Sequence, residues 1–291
     1  MSWTPYLVIF RLLSPMHIGA GKVGNVQRTY PYITGRVFWG ALTMRLARNL
    51  LYSGAAGNDG VYSAIGKQVH EQIAFTYFYP ALQENDSYTV IWPWGEESWP
   101  HTSAEFRKQF ISSYASTALE YPSQVAAESL LHESEFISPH TIAKESRPVY
   151  LSGYLFIHDA CDLAWKLALE NLRFGGDRGY GWGRVALKVC KPCDTASFFS
   201  DAINIDGSGI RPIVTLKQPH LLAHTEAKGT DAHGDIEPLV GRLWESHFGA
   251  GKNNDFCGIC FRPGSMVANA NTSFIINSLG IWSPFDVSRT E

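Results

Sequence analysis

The chain has 291 residues, of which 45% are apolar and 18% are charged, and its formal net charge is -3 at pH 7. This apolar content is enough for a sizeable core in one large domain or two small ones. No segment reaches the ~18 consecutive apolar residues of a membrane span, and no basic leader precedes the first apolar run. These features exclude the membrane-spanning, fibrous and disordered classes, and we expect a cytoplasmic protein without a membrane partner.

The charge is unevenly distributed along the chain. Residues 1–58 contain no Asp or Glu and have a formal charge of +6, so the remaining residues have a formal charge of -9. A chain that is basic throughout is typical of nucleic-acid-binding proteins, whereas this chain can offer only a local basic face on an acidic body. We predict such a face in the N-terminal segment. Its basic residues are Arg11, Lys22, Arg28, Arg36, Arg45 and Arg48.

The hydrophobic pattern of the first 119 residues alternates between strand and helix periods. An apolar run before Ser14-Pro15 is typical of a buried strand, and Asn85-Asp86 is typical of a hairpin turn. The predicted elements are a strand at 6–13, helices at 37–51 and 61–72, strands at 73–79 and 88–92, and a helix at 103–119 that Ser103 caps.

Residues 96–146 include a polar, proline-punctuated stretch that is typical of an insertion over the surface. The elements predicted beyond it are a strand at 149–157, a helix capped by Asp159 or Asp162 and ending at 172, and strands at 185–189, 213–216, 256–261 and 274–276. This order predicts an α+β protein. Its first domain, residues 1–195, has a ferredoxin-like layout, and a smaller second α+β domain follows at 196–291.

Gly19, Gly21 and Gly24 match the G-x-G-x-x-G pattern of dinucleotide-binding proteins, directly after a predicted strand. The context does not fit such a site, because Pro31 breaks any helix that these glycines could open and no acidic residue occurs before Asp59. We therefore predict no dinucleotide and no other organic cofactor.

A second glycine-rich segment, Gly175–Gly183, has five glycines in nine positions and arginines within it and on both sides. Small residues let backbone N–H groups approach a phosphate, arginines supply positive charge, and Tyr180 and Trp182 offer rings on which bases can stack. The alternative is a tight turn in which glycine only permits a positive φ. The number of glycines and arginines favours an RNA contact.

Four of the five cysteines form two C-x-x-C pairs, Cys190/Cys193 and Cys257/Cys260. Residues i and i+3 in a tight turn can present two thiolates to one ion, so the pattern predicts a structural zinc site with four thiolate ligands. Buried free thiols and disulfides are the alternatives, and a reducing compartment disfavours disulfides. His220 and His224 also have a ligand spacing, but we expect them at surface or loop positions.

Four segments, SPMHIGAG, YPYITGRVFWGALTMRLA, RPVYLSGYLFI and GGDRGYGWGRV, resemble the RAMP superfamily, whose members build the effector complexes of type III CRISPR-Cas systems. The resemblance covers residues 6–190. Beyond it, GDIEPLVGRLW, FGAGK and FRPGS resemble the distal half of the group 5 subunit of type III-D complexes. The resemblance implies a ferredoxin-like fold that is a variant of the RNA-recognition motif, a degenerate second unit, and a glycine-rich loop that contacts guide RNA.

The resemblance also implies a non-catalytic subunit that holds the 5′ handle of the guide RNA, next to other RAMP backbone subunits and the large subunit, with target RNA met only indirectly. Backbone subunits of the superfamily cleave target RNA with a carboxylate-bound metal near the first strand, and residues 14–58 contain no carboxylate. The alternative is a metal-independent endoribonuclease that matures guide RNA, with His17 as its proton shuttle.

The candidate RNA contacts come from the basic N-terminal segment and from the glycine-rich segment. They are His17, Lys22, Arg28, Arg36, Arg45, Arg173, Gly175, Gly176, Arg178, Gly179, Tyr180, Gly181, Trp182, Gly183 and Arg184.

Overall fold

A computed structural model of the chain describes residues 2–52, 60–94, 103–127, 130–143, 145–193, 197–245 and 249–285. The predicted start of the insertion near residue 96 and the predicted domain boundary near residue 195 lie outside these residues. No helix among them is long and apolar enough to cross a membrane.

The elements before residue 194 include all of the described α-helices. They are β1 (Trp3–Leu12), β2 (Gly19–Val23), β3 (Val26–Thr29), α1 (Gly35–Tyr52), α2 (Gly60–Gln72), β4 (Ile73–Phe75), β5 (Tyr79–Glu84), β6 (Ser87–Val90), α3 (Ser103–Phe110), β7 (Ile111–Ser116), β8 (Leu119–Glu120), β9 (Val125–Ala126), β10 (His132–Ile137), β11 (Tyr150–His158), α4 (Trp165–Leu169) and β12 (Val185–Pro192).

The described elements after residue 196 are strands and one 3-10 turn, Ser278–Gly280. The strands are β13 (Ser197–Phe198), β14 (Ile203–Asp206), β15 (Ile213–Leu216), β16 (Thr225–Glu226), β17 (Ala232–His233), β18 (Ile236–Glu245), β19 (Gly249–Phe261), β20 (Met266–Val267), β21 (Ser273–Ile276) and β22 (Trp282–Pro284).

The main sheet has the strand order β12-β1-β11-β5-β6, with β4 beside β11. All of these pairings are antiparallel, and Val8 of β1 lies opposite Gly153 on one side and Cys190 on the other. Side chains alternate along a strand, so β1 contributes to two cores. Val8 and Phe10 belong to the core that the helices cover, whereas Ile9 belongs to the core on the opposite face.

Helix α1 packs on the main sheet because apolar residues recur along it at helical spacing. Phe38, Leu42 and Leu46, each four residues apart, are buried in the first core together with residues of α2 and α4. The ring of Phe38 stacks on that of Phe78 with centroids 4.8 Å apart. Burial of each such side chain contributes roughly 1.5–3 kcal/mol to stability.

The opposite face of the main sheet is covered by an eight-stranded sheet of the order β13-β14-β15-β21-β22-β16-β19-β18. Val214, Phe274 and Trp282 of this second sheet share one apolar core with Ile9 and Phe156 of the main sheet. The two parts of the chain are thus joined through apolar packing. Residues 197–245 and 249–285 contain no α-helix, so the predicted α+β character of the second domain is wrong there, because its buried residues recur at the strand period.

Two further predictions fail at single elements. The helix predicted at 103–119 ends at Phe110, and residues 111–116 instead form β7, which pairs with β10. The helix predicted up to residue 172 is only α4, and neither predicted acid caps it: the Asp159 carboxylate accepts hydrogen bonds from the backbone N and Oγ of Ser2, at 3.0 and 2.8 Å. The turn predicted at Asn85 is confirmed, with φ 54° at Asn85, but the first strand of the hairpin is β5 (Tyr79–Glu84), and only Ile73–Phe75 of the predicted strand 73–79 forms a strand, β4.

A small four-stranded sheet of the order β2-β3-β10-β7 lies beside the main sheet. The glycines of the G-x-G-x-x-G pattern lie in the β2-β3 hairpin rather than at a helix start. Strand β10 runs parallel to β3 and antiparallel to β7. Residues of the predicted insertion therefore extend the N-terminal hairpin into a sheet.

Candidate nucleic-acid interface

The glycine-rich segment docks on the residues that follow β1. The backbone N–H of Gly183 donates to Pro15 O at 2.7 Å, and the N–H of Gly176 donates to His17 O at 2.9 Å. At the end of the segment, the backbone N–H of Arg184 donates to Ser14 Oγ at 2.9 Å. These bonds join two segments that lie about 160 residues apart in sequence into one surface.

Two of the five glycines are required by these contacts. Gly175 has φ +81° and Gly183 has φ +74°, and a Cβ atom at either position would overlap a backbone oxygen, of His17 and of Phe174 respectively. Gly181 also has a positive φ, whereas a Cβ atom at Gly179 would meet no other atom within 4 Å. A tight turn that needs positive φ, the alternative to an RNA contact, thus explains three of the glycines. At Gly179 the backbone remains open for a ligand to approach.

Arg178 lies where the glycine-rich segment meets α1, within electrostatic reach of two other arginines. The Arg178 guanidinium donates to Gly175 O at 3.0 Å and lies 3.6 Å from the sulfur of Met44, one helical turn before Arg48. Burial lowers the pKa of Arg178, and the charges of Arg48 and Arg173 lower it further. We call Arg48, Arg173 and Arg178 the arginine cluster.

The arginine cluster is not neutralised within the described part of the chain, where none of its three members has an ion-pair partner. Their mutual repulsion is unfavourable unless an anion lies between or beside them. The cluster therefore has the charge and the position to bind a phosphate group next to the glycine-rich segment.

Two other predicted contacts are already paired. Arg28 forms an ion pair with Glu135 at 3.0 Å, and Arg36 forms one with Asp255 at 2.6 Å. The acids that the N-terminal segment lacks are thus supplied from β10 and β19. Lys22 on the β2-β3 hairpin is exposed, and Arg45 on α1 is half-buried with its Nε atom lacking a hydrogen-bond partner among the described residues.

His17 is buried between the glycine-rich segment and β10. Its Nδ1 atom lies 2.7 Å from the backbone oxygen of Glu135, and since a carbonyl only accepts, Nδ1 carries the proton and donates. The other ring nitrogen, Nε2, is left as an acceptor. With 8% of its surface exposed, His17 is positioned by the fold rather than free on the surface.

The four cysteines of the predicted zinc site are not brought together. Cys190 lies on β12 and packs against the core beneath the helices, while Cys193, directly after the end of β12, packs against the core of the opposite face. Cys257 accepts a hydrogen bond from Arg36 at 2.7 Å. Among the described residues, no three His, Cys, Asp or Glu side chains form a group that could hold a metal ion.

A buried polar chain, for which the sequence contains no signal, lies between the two parts of the protein. The hydroxyl of Tyr77 lies 2.7 Å from His224 Nδ1, and His224 Nε2 lies 2.5 Å from Glu237 Oε1. The same carboxylate oxygen accepts a hydrogen bond from Tyr30 at 2.8 Å and lies 3.5 Å from the Arg262 guanidinium. His224 lies in the loop before β16, as predicted, but it is fully buried there rather than at the surface.

This chain of polar groups makes stability dependent on pH. Burial lowers the pKa of His224 below its ordinary value of 6.5, although the hydrogen bond to Glu237 opposes the shift. The unfolded chain therefore takes up a proton at this histidine before the folded chain does, and the free energy of unfolding should fall as the pH drops below 6.5. We expect His224→Gln to lose part of this dependence in urea unfolding from pH 7 to about 5.

Burial also lowers the pKa of His70, so this histidine should supply part of the remaining dependence of stability on pH. His70→Gln therefore serves as the matched variant. An unchanged slope of stability against pH in His224→Gln would contradict the assignment.

Comparisons with known proteins give a structural likeness only. No family model and no curated protein matches the chain. It is similar to a chain of the type III-B Cmr-beta complex bound to cognate target RNA, with a TM-score of 0.42, 12% identity, and coverage of 64% of this chain and 97% of the other.

A chain of the same kind of complex with cognate target RNA and AMPPnP has a TM-score of 0.49 and 11% identity, covering 90% of this chain and 85% of the other. A chain of the type III-B Cmr-beta complex in its apo state has a TM-score of 0.40 and 10% identity, and the match covers 64% of this chain and 97% of the other. All three TM-scores are below 0.5.

Proposed function

We propose that this chain is a non-catalytic RNA-binding subunit of a type III CRISPR effector complex, of the kind found as group 5 in type III-D, and that it holds the 5′ handle of the guide RNA. The observation that carries the proposal is the glycine-rich segment, docked on the residues after β1 with the arginine cluster beside it. A phosphate backbone requires close backbone approach, as at Gly179, and guanidiniums that no acid within the described residues already neutralises.

The order of the main sheet supports a ferredoxin-like domain within this proposal. The chain passes through β1, α1, β4 and β5, β11, α4 and β12, and β1 lies between β12 and β11 in the sheet. This is the strand, helix, strand, strand, helix, strand order of that layout. The face opposite the helices is covered by the second sheet, so RNA would be held at the edge formed by the glycine-rich segment.

Exposed apolar side chains support membership in an assembly. Val240 of β18 and Phe256 of β19 are paired across the ribbon, and both are more than half exposed, as are Ile236 and Ile259. Apolar residues grouped on a surface in this way are typical of contacts between proteins. In the proposal, this contact is with a backbone subunit or the large subunit.

The second candidate function is maturation of guide RNA by an endoribonuclease. One observation favours it: Nε2 of His17 is an acceptor beside the glycine-rich segment, where it could take a proton from a ribose hydroxyl. The position of the ring, fixed by Glu135 O and only 8% exposed, suits a binding residue better than a residue that must reach the reacting atoms.

Purification and a cleavage assay separate the two candidates. We expect the purified protein to retain RNA, seen as a raised 260/280 absorbance ratio, and to leave a repeat RNA hairpin intact. His17→Ala should weaken binding without changing guide maturation, because loss of a contact costs affinity whereas loss of a proton shuttle would reduce the rate by about 100-fold or more. Cleavage by the wild type that His17→Ala abolishes would establish the endoribonuclease instead.

A further inference from the structure

A cavity of about 310 Å³ lies between the glycine-rich segment and the small sheet. Gln27, Ser134 and Tyr114 are side by side in it, since they occupy paired positions on β3, β10 and β7. Tyr180 and Trp182 line the facing side. The cavity therefore opens at the segment for which we propose the RNA contact.

The aromatic rings of this cavity are available to a ligand. Tyr180 is 85% exposed and Tyr114 is 62% exposed, values that leave most of each ring surface free. Trp182 is held in place by Phe136, whose ring lies edge-on at a centroid distance of 5.1 Å. A flat aromatic ligand is the class that such rings take up, by stacking.

Two polar groups of the cavity, on Asp177 and His132, are acceptors without a donor of their own, whereas the hydroxyls that line it can donate or accept. Asp177 lines it, and its carboxylate has no ion-pair partner among the described residues. Nδ1 of His132 lies 3.1 Å from the backbone oxygen of Leu130, so it donates there and leaves Nε2 as an acceptor. A ligand that is well matched to Asp177 therefore presents N–H donors to it, and the amide of Gln27 can bond either kind of group.

We propose that this cavity takes one unstacked base of the bound RNA and that Asp177 makes it prefer guanine. The inference rests on the proposed RNA-binding function. Guanine presents two adjacent donors, N1–H and N2–H, which one carboxylate accepts together, and O6 beside them can accept from Gln27. Adenine and cytosine place an acceptor next to their amino group, and uracil flanks its single N–H with two carbonyls. The carboxylate repels each of these acceptors.

The test measures binding of the purified full-length protein to four RNAs. They are oligouridines of about eight nucleotides with G, A, C or U at one central position, labelled for fluorescence anisotropy. We expect the G-containing RNA to bind about tenfold more tightly than the all-U RNA. Asp177→Asn replaces one acceptor with a donor and should reduce this preference to within about twofold.

Arg48→Ala is the matched control, because the arginine cluster contacts phosphate in every RNA. It should weaken binding to all four RNAs by the same factor and leave the preference for guanine intact. Binding without base preference, or a preference that survives in Asp177→Asn, would overturn the guanine cavity while leaving the proposed function standing. Failure of all four RNAs to bind would overturn both.

Discussion

Replacement of Arg48, Arg173 and Arg178 by alanine is expected to weaken binding of single-stranded RNA by about 100-fold at roughly 0.1 M salt. Each phosphate contact with a single strand releases about 0.7 counterions, so three lost contacts reduce the slope of log K against log salt by about two units. None of the three has an ion-pair partner among the described residues, and Arg48 and Arg173 are exposed, so any loss of stability should come from Arg178, whose hydrogen bond to Gly175 O is removed.

The measurement is a salt titration of RNA affinity, and Lys217→Ala with Lys228→Ala provides the control. Both lysines are exposed in the C-terminal part of the chain. Their removal lowers the net charge without touching the cluster, so the loss of affinity per charge should be much smaller. Equal losses per charge in the two variants would mean that RNA responds to the overall charge, and the cluster would not be its binding site.

The sequence predicts elements well where the pattern is local. The strand β1 and the helix α1 follow from apolar runs at strand and helix periods, and both are found within a few residues of the predicted bounds. The predicted helix over 103–119 failed because its second half, β7, takes its structure from pairing with β10, about 20 residues further on. The cysteine pairs are not brought together for a related reason: the spacing suits a turn, but Cys190 lies within a strand.

The candidate site also has one part that the sequence predicts and another that only the fold reveals. Its glycines lie close to Arg173 and Arg178 in sequence, so the glycine-rich segment could be identified without a structure, whereas Arg48 is brought to it from α1 by the fold. Glu135 could not, although it forms ion pairs with Arg28 and Arg107 and holds His17 through its backbone oxygen. The base cavity draws on three strands and a turn that are distant in sequence, and only the fold brings them together.

Gly183→Ala is expected to destabilise the protein by on the order of 3 kcal/mol, the largest stability effect that we predict. Gly183 is buried with φ +74°, and an added Cβ would overlap the backbone oxygen of Phe174, a fully buried residue whose backbone N–H donates to Gly183 O. The ring of Phe174 packs edge-on against that of Phe10 at 5.5 Å, so the displacement reaches the core. The free energy of unfolding in urea measures the loss.

Gly179→Val is the matched variant in the same segment, and it should behave in the opposite way. Gly179 is exposed and an added Cβ atom there meets nothing within 4 Å, so stability should change by less than about 0.5 kcal/mol. RNA affinity should nevertheless fall by about tenfold, because a branched side chain keeps the phosphate away from the backbone N–H groups and removes a hydrogen bond to a charged group. If Gly179→Val binds RNA as well as the wild type does, the glycine-rich segment is only a turn, and its glycines serve the contacts with His17 and Phe174 alone.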